Sequence, residues 1–173
     1  MNLHLNDQHI LITGGSKGIG LACAHAFLQE GARVSLVSRD PAHLNAARQQ
    51  LQASGPAERI HTVAANLRDA SAALAALDSA EAMFGPVDVL VNSAGAAQRT
   101  PAPELTPEAF ADAMQAKYFT YVHMITPTIQ RMAARGQGAV VNVVGNGGKV
   151  ASTIHLPGGA ANAALMLVSA GLA

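Results

Sequence analysis

The sequence has little charge, few aromatic side chains and a single cysteine: 13% of its residues are charged and 3% are aromatic. Cys23 has no partner for a disulfide within the chain. Eleven basic side chains balance eleven acidic ones, and the basic residues form no run. Nucleic-acid and anionic-membrane surfaces need a local excess of positive charge, so we expect neither kind of partner.

Long hydrophobic runs and clustered metal ligands are also missing. No apolar run approaches the roughly 20 residues of a membrane helix, and the polar start MNLHLNDQHI differs from a signal peptide. The seven histidines are scattered, without the close spacing to cysteines or carboxylates that is typical of a metal site. We therefore expect a soluble, cytoplasmic protein with no metal site and no membrane partner.

What the sequence does contain is a regular alternation of short apolar runs with longer segments of helical periodicity. This alternation predicts a parallel α/β sheet, and the 173 residues, half of them hydrophobic, suffice for one domain over residues 1–173. The predicted strands are 9–13, 33–38, 59–65, 87–92 and 139–144. The predicted helices are 19–30, 41–53, 70–84, 106–135 and 158–172.

The most informative segment is LITGGSKGIGLACAHAFLQEGARVSLVSRD, residues 11–40. A strand ends at Thr13, a glycine-rich turn follows to Gly20, and a helix and a second strand complete the unit. Glycines let the backbone approach a pyrophosphate, and the helix N-terminus supplies free N–H groups and a positive dipole. A glycine-rich turn alone is a weak signal, but its place between a strand and a helix favours dinucleotide binding.

Two motifs identify a family. TGGSKGIG (13–20) resembles the TGxxxGxG fingerprint of short-chain dehydrogenases/reductases, and NSAG (92–95) resembles their NNAG motif after the fourth strand. The resemblance implies a Rossmann-type doubly wound parallel sheet, bound NAD(H) or NADP(H), and hydride transfer to or from an unknown carbonyl or alcohol. The cofactor-binding residues that we predict are Gly14, Ser16, Lys17, Gly18, Ile19, Gly20, Ser38, Arg39, Asn66, Leu67, Asn92, Ala94, Gly95 and Asn162.

Charge at the end of the second strand distinguishes the two nicotinamide cofactors. An acidic residue there binds the ribose hydroxyls of NAD, whereas an arginine suits the 2′-phosphate of NADP. Here Ser38 and Arg39 occupy the turn, Lys17 adds a second cation, and Asp40 follows directly. The two cations favour NADP(H), while Asp40 leaves NAD(H) as the alternative cofactor. Asn66 stands where the family usually has an aspartate, and its amide oxygen can accept a hydrogen bond in the same way.

The catalytic residues that the resemblance implies do not match this sequence. The family's pattern of a serine followed by YxxSKAAL aligns with Gly145 and with GGAANAAL (158–165), so that glycine replaces the serine, Gly158 replaces the tyrosine and Asn162 replaces the lysine. Lys117 stands at the position of the family's helical asparagine. Glycine has no proton to donate, and asparagine has no charge with which to tune a neighbour's pKa.

Two other side chains are candidates for a relocated proton donor. His155 is one, because a histidine is a common general acid or base, and Lys117 could place an ammonium near the vacated positions if burial lowers its pKa. The alternative is a catalytically silent cofactor-binding or assembly protein.

The end of the chain raises a second question. In the family the fold continues with two more strands and a segment that covers the substrate, whereas this sequence stops after the helix that follows the fifth strand. We expect either a fragment of a longer protein or a sheet edge covered by a partner. The last helix is apolar nearly all round, which suits a helix that is buried on more than one side. The family resemblance implies that this helix packs against its copy in a neighbouring subunit, so we expect a homo-oligomer, either a dimer or a tetramer.

Overall fold

The structure is a computed structural model and describes residues 3–95 and 98–173. Its strands are β1 (His9–Thr13), β2 (Arg33–Ser38), β3 (Ile60–Ala64), β4 (Val89–Asn92) and β5 (Ala139–Asn142). Its α-helices are α1 (Gly18–Gln29), α2 (Pro41–Leu51), α3 (Ala70–Phe84), α4 (Pro107–Ala113), α5 (Thr120–Arg135) and α6 (Leu156–Gly171). A π-helical segment (Met114–Phe119) joins α4 to α5, and short 3₁₀ turns occupy Ala57–Arg59, Ala102–Glu104 and Asn146–Gly148.

The five strands form one parallel sheet in the order β3-β2-β1-β4-β5. The chain winds outward from β1 to β3 and then returns to place β4 on the other side of β1. This reversal puts a crevice between the carboxyl ends of β1 and β4, which is where open α/β sheets bind their ligands. The predicted doubly wound Rossmann-type sheet is confirmed.

Alternating side chains of β1 enter two hydrophobic cores, one on each face of the sheet. Ile10 and Ile12 pack with the apolar faces of α1 and α2, where Ala24, Leu28 and Leu44 are buried. Leu11 packs in the other core with buried residues of α3, α5 and α6, among them Leu77, Tyr121 and Leu165. Burial of β1 on both faces explains its uninterrupted apolar run.

Local chemistry sets the ends of the helices. Asp40 caps α2 and Asp69 caps α3, because each carboxylate accepts hydrogen bonds from free backbone N–H groups of the first turn. Thr106 caps α4 with Pro107 in the first turn, and Gly136 ends α5 in the left-handed conformation at φ +72°.

Several predicted boundaries were wrong. The strand predicted at 59–65 begins at Ile60 because Ala57–Arg59 forms a 3₁₀ turn, and the strands predicted at 87–92 and 139–144 pair only over Val89–Asn92 and Ala139–Asn142. The helix predicted at 106–135 is interrupted by the π-helical segment. Residues 3–95 and 98–173 contain no helix long and apolar enough to cross a membrane, and they hold no group of three metal-ligating side chains.

Candidate functional site

The glycine-rich turn after β1 brings two pieces of backbone into close contact. Gly14 has φ +66°, and a Cβ atom there would lie 2.9 Å from the backbone of Ala94. A Cβ atom at Gly20 would lie 2.5 Å from the carbonyl oxygen of Gly14. Glycine at these positions therefore lets α1 begin directly against the turn, with its N-terminal N–H groups close to the crevice.

Thr13 and Asn92 join the carboxyl ends of β1 and β4. The Thr13 hydroxyl donates to Asn92 Oδ1 at 3.2 Å and accepts from the N–H groups of Ser93 and Ala94. Both side chains are completely buried. The side chain of Asn92, a predicted cofactor-binding residue, thus lies beneath the crevice and holds its two walls together.

This contact extends through a hydrogen-bonded row that sequence reasoning missed. Asn92 Nδ2 donates to Asn142 Oδ1 at 3.0 Å, and Asn142 Nδ2 donates to Ser169 Oγ at 2.9 Å. The Ser169 hydroxyl in turn donates to the carbonyl of Leu165 within α6. The row links β1, β4, β5 and α6, so it fixes the last helix relative to the crevice. Only the register between strands shows that Asn92 and Asn142 lie side by side.

A cavity of about 190 Å³ opens beyond the carboxyl ends of β2 and β3. Seven of the predicted cofactor-binding residues line it: Gly14, Ser38, Arg39, Asn66, Leu67, Ala94 and Gly95. Arg68, Ala116 and Thr120, which were not predicted, also contribute to its wall. Asn66 is exposed and its amide oxygen accepts from the Arg68 N–H at 3.3 Å. The cavity has the position expected for one end of a dinucleotide that crosses the glycine-rich turn.

A second, more open cavity of about 620 Å³ adjoins the first at Ser38 and Arg39. Lys17 and Arg39 are both exposed here, and the Ser16 hydroxyl donates to Ser38 Oγ at 2.9 Å. Asp40 and His43 line the same cavity. The structure therefore brings the two predicted cations together, along with an acidic and a histidine side chain. Gly18 and Ile19, the other predicted residues of the turn, begin α1 next to Lys17, and the Ile19 side chain is exposed.

The crevice ends against the π-helical segment. Gly95 has φ +84°, and a Cβ atom there would collide with the carbonyl oxygen of Ala116. The extra residue of the π turn redirects backbone carbonyls, and the Thr120 hydroxyl donates to the carbonyl oxygen of Lys117 at 2.8 Å. Lys117 thus lies in the π-helical distortion, beside the loop that follows β4.

Lys117 is half-buried and fixed by two neutral acceptors. Its Nζ donates to Tyr121 Oη at 2.7 Å and to the carbonyl oxygen of Val143, one residue past β5, at 3.1 Å. The Tyr121 hydroxyl donates to the same carbonyl at 2.7 Å. Burial lowers the pKa of Lys117 to about 8 and raises the pKa of Tyr121 above its ordinary value. An amine with this pKa can both donate and accept a proton close to neutral pH.

Asn162 binds the loop that Lys117 also reaches. It is buried, and its Oδ1 accepts from the N–H of Gly145 at 3.0 Å. A Cβ atom at Gly145 would lie 2.9 Å from Asn162 Nδ2, so the small residue and the amide fit each other. Lys117 and Asn162 therefore approach the segment 143–145 from two different helical elements.

His155 lies at the N-terminus of α6, one residue before Leu156. Its Nδ1 atom is buried and has no hydrogen-bond partner among the residues that the structure describes. Gly158, three residues later, is buried within the first turn of α6. The tyrosine position of the family thus lies in the helix, and this chain presents no side chain there.

A short chain dehydrogenase family model matches residues 8–173. The chain belongs to this family. Among curated relatives, a D-threitol dehydrogenase from Mycolicibacterium smegmatis is 33% identical over 155 residues, which cover 90% of this chain. The family predicted from TGGSKGIG and NSAG is confirmed.

The chain also superimposes closely on solved structures. The chain matches an NADPH-bound short chain oxidoreductase from Pseudomonas aeruginosa PAO1, described as containing an atypical catalytic center, with a TM-score of 0.91 and 28% identity over 96% of this chain. It also matches L-sorbose reductase from Gluconobacter frateurii, complexed with NADPH and L-sorbose, with a TM-score of 0.91 and 28% identity over 99% of this chain.

The chain spans about three fifths of the curated relative, 59% of its length, and 65% of each of these two solved chains. The matched part holds the crevice, both cavities and the helix that carries Asn162.

Proposed function

We propose that this protein binds a nicotinamide dinucleotide across the carboxyl ends of β1 and β4 and acts as an oxidoreductase on a carbonyl or alcohol substrate. The observation that carries this proposal is the cradle formed by Gly14 and Gly20, whose close backbone contacts leave no room for a Cβ atom. This cradle sets the N-terminus of α1 beside the crevice, so that its free N–H groups can approach a pyrophosphate directly. The adjoining cavity beyond Ser38 and Asn66 suits the adenosine half.

We propose further that NADP(H) is preferred to NAD(H). Lys17 and Arg39 line the same open cavity, from the turn before α1 and the turn after β2, and paired cations suit a 2′-phosphate. Both carboxylate oxygens of Asp40 already have partners within the protein, in capping α2 and in a contact with His43, which makes Asp40 a weaker acceptor for ribose hydroxyls. The NADPH in two of the similar structures supports the same preference.

The cofactor preference is tested by titrating the protein with NADPH and NADH and following nucleotide fluorescence. We expect the natural protein to bind NADPH more tightly than NADH. Arg39→Ala should weaken NADPH binding by about tenfold, because a well-formed charge-assisted hydrogen bond contributes about 1.5–3 kcal/mol. NADH affinity should change by less than twofold.

Arg48→Ala is the matched control, since Arg48 is an exposed arginine of α2 that does not line the cavity. Equal affinities for the two nucleotides in the natural protein, or an Arg39→Ala variant that loses both equally, would refute the preference for NADP(H).

We propose that Lys117 handles the proton in this reaction. A bound nicotinamide supplies or accepts the hydride. In reduction, Lys117 gives a proton from its ammonium to the oxygen of the carbonyl whose carbon receives the hydride, and the resulting amine regains a proton from water. In alcohol oxidation the neutral amine takes the hydroxyl proton. If the cavity beyond β2 and β3 holds the adenosine, the nicotinamide end of the dinucleotide would extend toward β4 and β5, where Lys117 donates to the carbonyl of Val143.

Lys117 is preferred to His155 because its ammonium has a defined position. Two hydrogen bonds fix Nζ, and no carboxylate among the described residues neutralises it. Tyr121 also donates to Val143, so that carbonyl keeps a partner when the lysine proton leaves. His155 instead has a buried Nδ1 atom that is unpartnered within the described chain.

The homo-oligomer and the cytoplasmic location stay predictions. The outer side of α6 supports self-association, because Ala163 and Leu167 are exposed one turn apart and Leu167 is 76% exposed. An apolar helix face of this kind is typical of an interface.

A further inference from the structure

His43 lies in the same cavity as Lys17 and Arg39. It belongs to the first turn of α2, and its Nδ1 atom is 2.9 Å from Oδ2 of Asp40. The charged groups that line this cavity with it are Lys17 from the turn before α1, and Arg39 and Asp40 from the turn before α2.

Asp40 is a fixed negative charge in a cavity that would receive a phosphate. Its Oδ1 accepts from the N–H of Ala42 at 2.8 Å and from that of His43 at 3.4 Å. These backbone hydrogen bonds, that of Ala42 above all, lower the pKa of the Asp40 carboxyl below its ordinary value. The carboxylate is therefore ionised at neutral pH, and it cannot rotate away from the cavity without uncapping α2.

A carboxylate beside a phosphate weakens phosphate binding, since like charges at short range repel. His43 offsets this repulsion, because its Nδ1 atom lies 2.9 Å from Oδ2 of Asp40 and an imidazole N–H there donates to the carboxylate and reduces its field outside the pair. Without His43, Lys17 and Arg39 would face the phosphate together with an uncompensated negative charge. The side chains of His43 and Asp40 are 45% and 46% exposed, so solvent screens the effect and it is expected to be modest.

We propose that His43 is a specificity residue for NADP(H), which pairs with Asp40 and so weakens the repulsion between this carboxylate and the 2′-phosphate. This inference rests on the proposed NADP(H) site. It concerns binding alone and needs no catalytic turnover.

The test is a double-mutant cycle on nucleotide affinity. NADPH and NADH are titrated at pH 6 and pH 8 into the natural protein, His43→Ala, Asp40→Asn and the double variant. Asparagine caps a helix as well as aspartate does, so Asp40→Asn removes the charge and keeps α2 intact. His25→Ala, which removes an exposed histidine of α1 outside this cavity, is the matched control.

We expect His43→Ala to weaken NADPH binding about three- to tenfold at pH 6 and to change the affinity for NADH by less than twofold. Asp40→Asn should bind NADPH more tightly than the natural protein at pH 8. In the Asp40→Asn background, His43→Ala should cause no further change in the affinity for NADPH. The 2′-phosphate itself gains a proton near pH 6, but this change is common to all variants and cancels in the comparison.

Two results would overturn the inference: an equal loss of NADPH and NADH affinity in His43→Ala, or an undiminished effect of His43→Ala in the Asp40→Asn background. The Arg39→Ala variant tests the proposed NADP(H) site separately. If Arg39→Ala weakens NADPH while His43→Ala does not, only the role of His43 is refuted. If Arg39→Ala also leaves NADPH binding unchanged, the site itself is wrong.

Discussion

His9 shows how a single buried residue ties the stability of this fold to pH. It lies in β1 with no exposed surface, its Nδ1 atom donates to the carbonyl of Gly85 at 2.8 Å, and its Nε2 atom lies 2.8 Å from the Ser35 hydroxyl. A carbonyl only accepts, so the neutral ring carries its proton on Nδ1 and accepts from Ser35. Burial lowers the pKa of His9 below its ordinary value of 6.5, with the Gly85 hydrogen bond opposing in part.

The sign of the resulting pH dependence follows from this lowered pKa. Below pH 6.5 the unfolded chain binds a proton at His9 that the folded chain resists, so the contribution of His9 is complete above pH 6.5 and is lost as the pH falls. We expect the free energy of unfolding in urea to decrease between pH 7 and pH 5. His9→Gln should reduce that slope by up to one proton, about 1.4 kcal/mol per pH unit. An unchanged slope would show that other groups, such as the partly buried His61, account for it.

At the scale of secondary-structure elements, the π-helical segment and the loop after β4 depend on each other. The helix is distorted where the Ala116 carbonyl meets Gly95, and Lys117 follows directly. The apolar pattern of residues 106–135 predicted one continuous helix, because a single extra residue within a helix barely changes its periodicity. The distortion is specified by a contact with a loop that is distant in sequence, which periodicity alone does not reveal.

Substitutions at two left-handed glycines test this dependence. Gly95→Ala and Gly136→Ala both place alanine at positive φ, +84° and +72° respectively, but no atom lies within 4 Å of a Cβ atom at Gly136. We expect Gly136→Ala to cost about 1 kcal/mol of unfolding free energy from backbone strain alone. Gly95→Ala should cost at least about 2 kcal/mol more and should weaken NADPH binding, as measured by urea unfolding and fluorescence titration. Equal losses in the two variants would contradict the contact with Ala116.

For the molecule as a whole, sequence patterns predicted the doubly wound parallel sheet, the glycine-rich turn and the family. These features depend on local spacing and on glycines with defined roles. The residues around the crevice were only partly predictable. Asn66, Ser38 and Arg39 follow directly from strand ends, whereas the row from Thr13 to Ser169 depends on the register between strands.

The burial of the Lys117 ammonium likewise could not be predicted from the sequence. Its position opposite the family's asparagine was visible, but whether its ammonium is solvated or buried is decided by Tyr121 and Val143, which lie 4 and 26 residues away. In the same way, the pairing of His43 with Asp40 requires the first turn of α2 to be formed, because that turn places the two side chains together.

NADPH oxidation with a panel of carbonyl substrates, measured from pH 6 to 10, tests whether this chain is an oxidoreductase whose proton donor is Lys117. We predict that reduction falls as the pH rises through about 8, where Lys117 loses its proton, while alcohol oxidation rises through the same range. Lys117→Met should lower turnover about 10²- to 10⁴-fold, with NADPH affinity unchanged within twofold. Lys117→Arg should be equally slow and show no inflection, because arginine stays charged throughout. Turnover by Lys117→Met at the natural rate, or NADPH binding by the natural protein without turnover on any substrate of the panel, would contradict the claim.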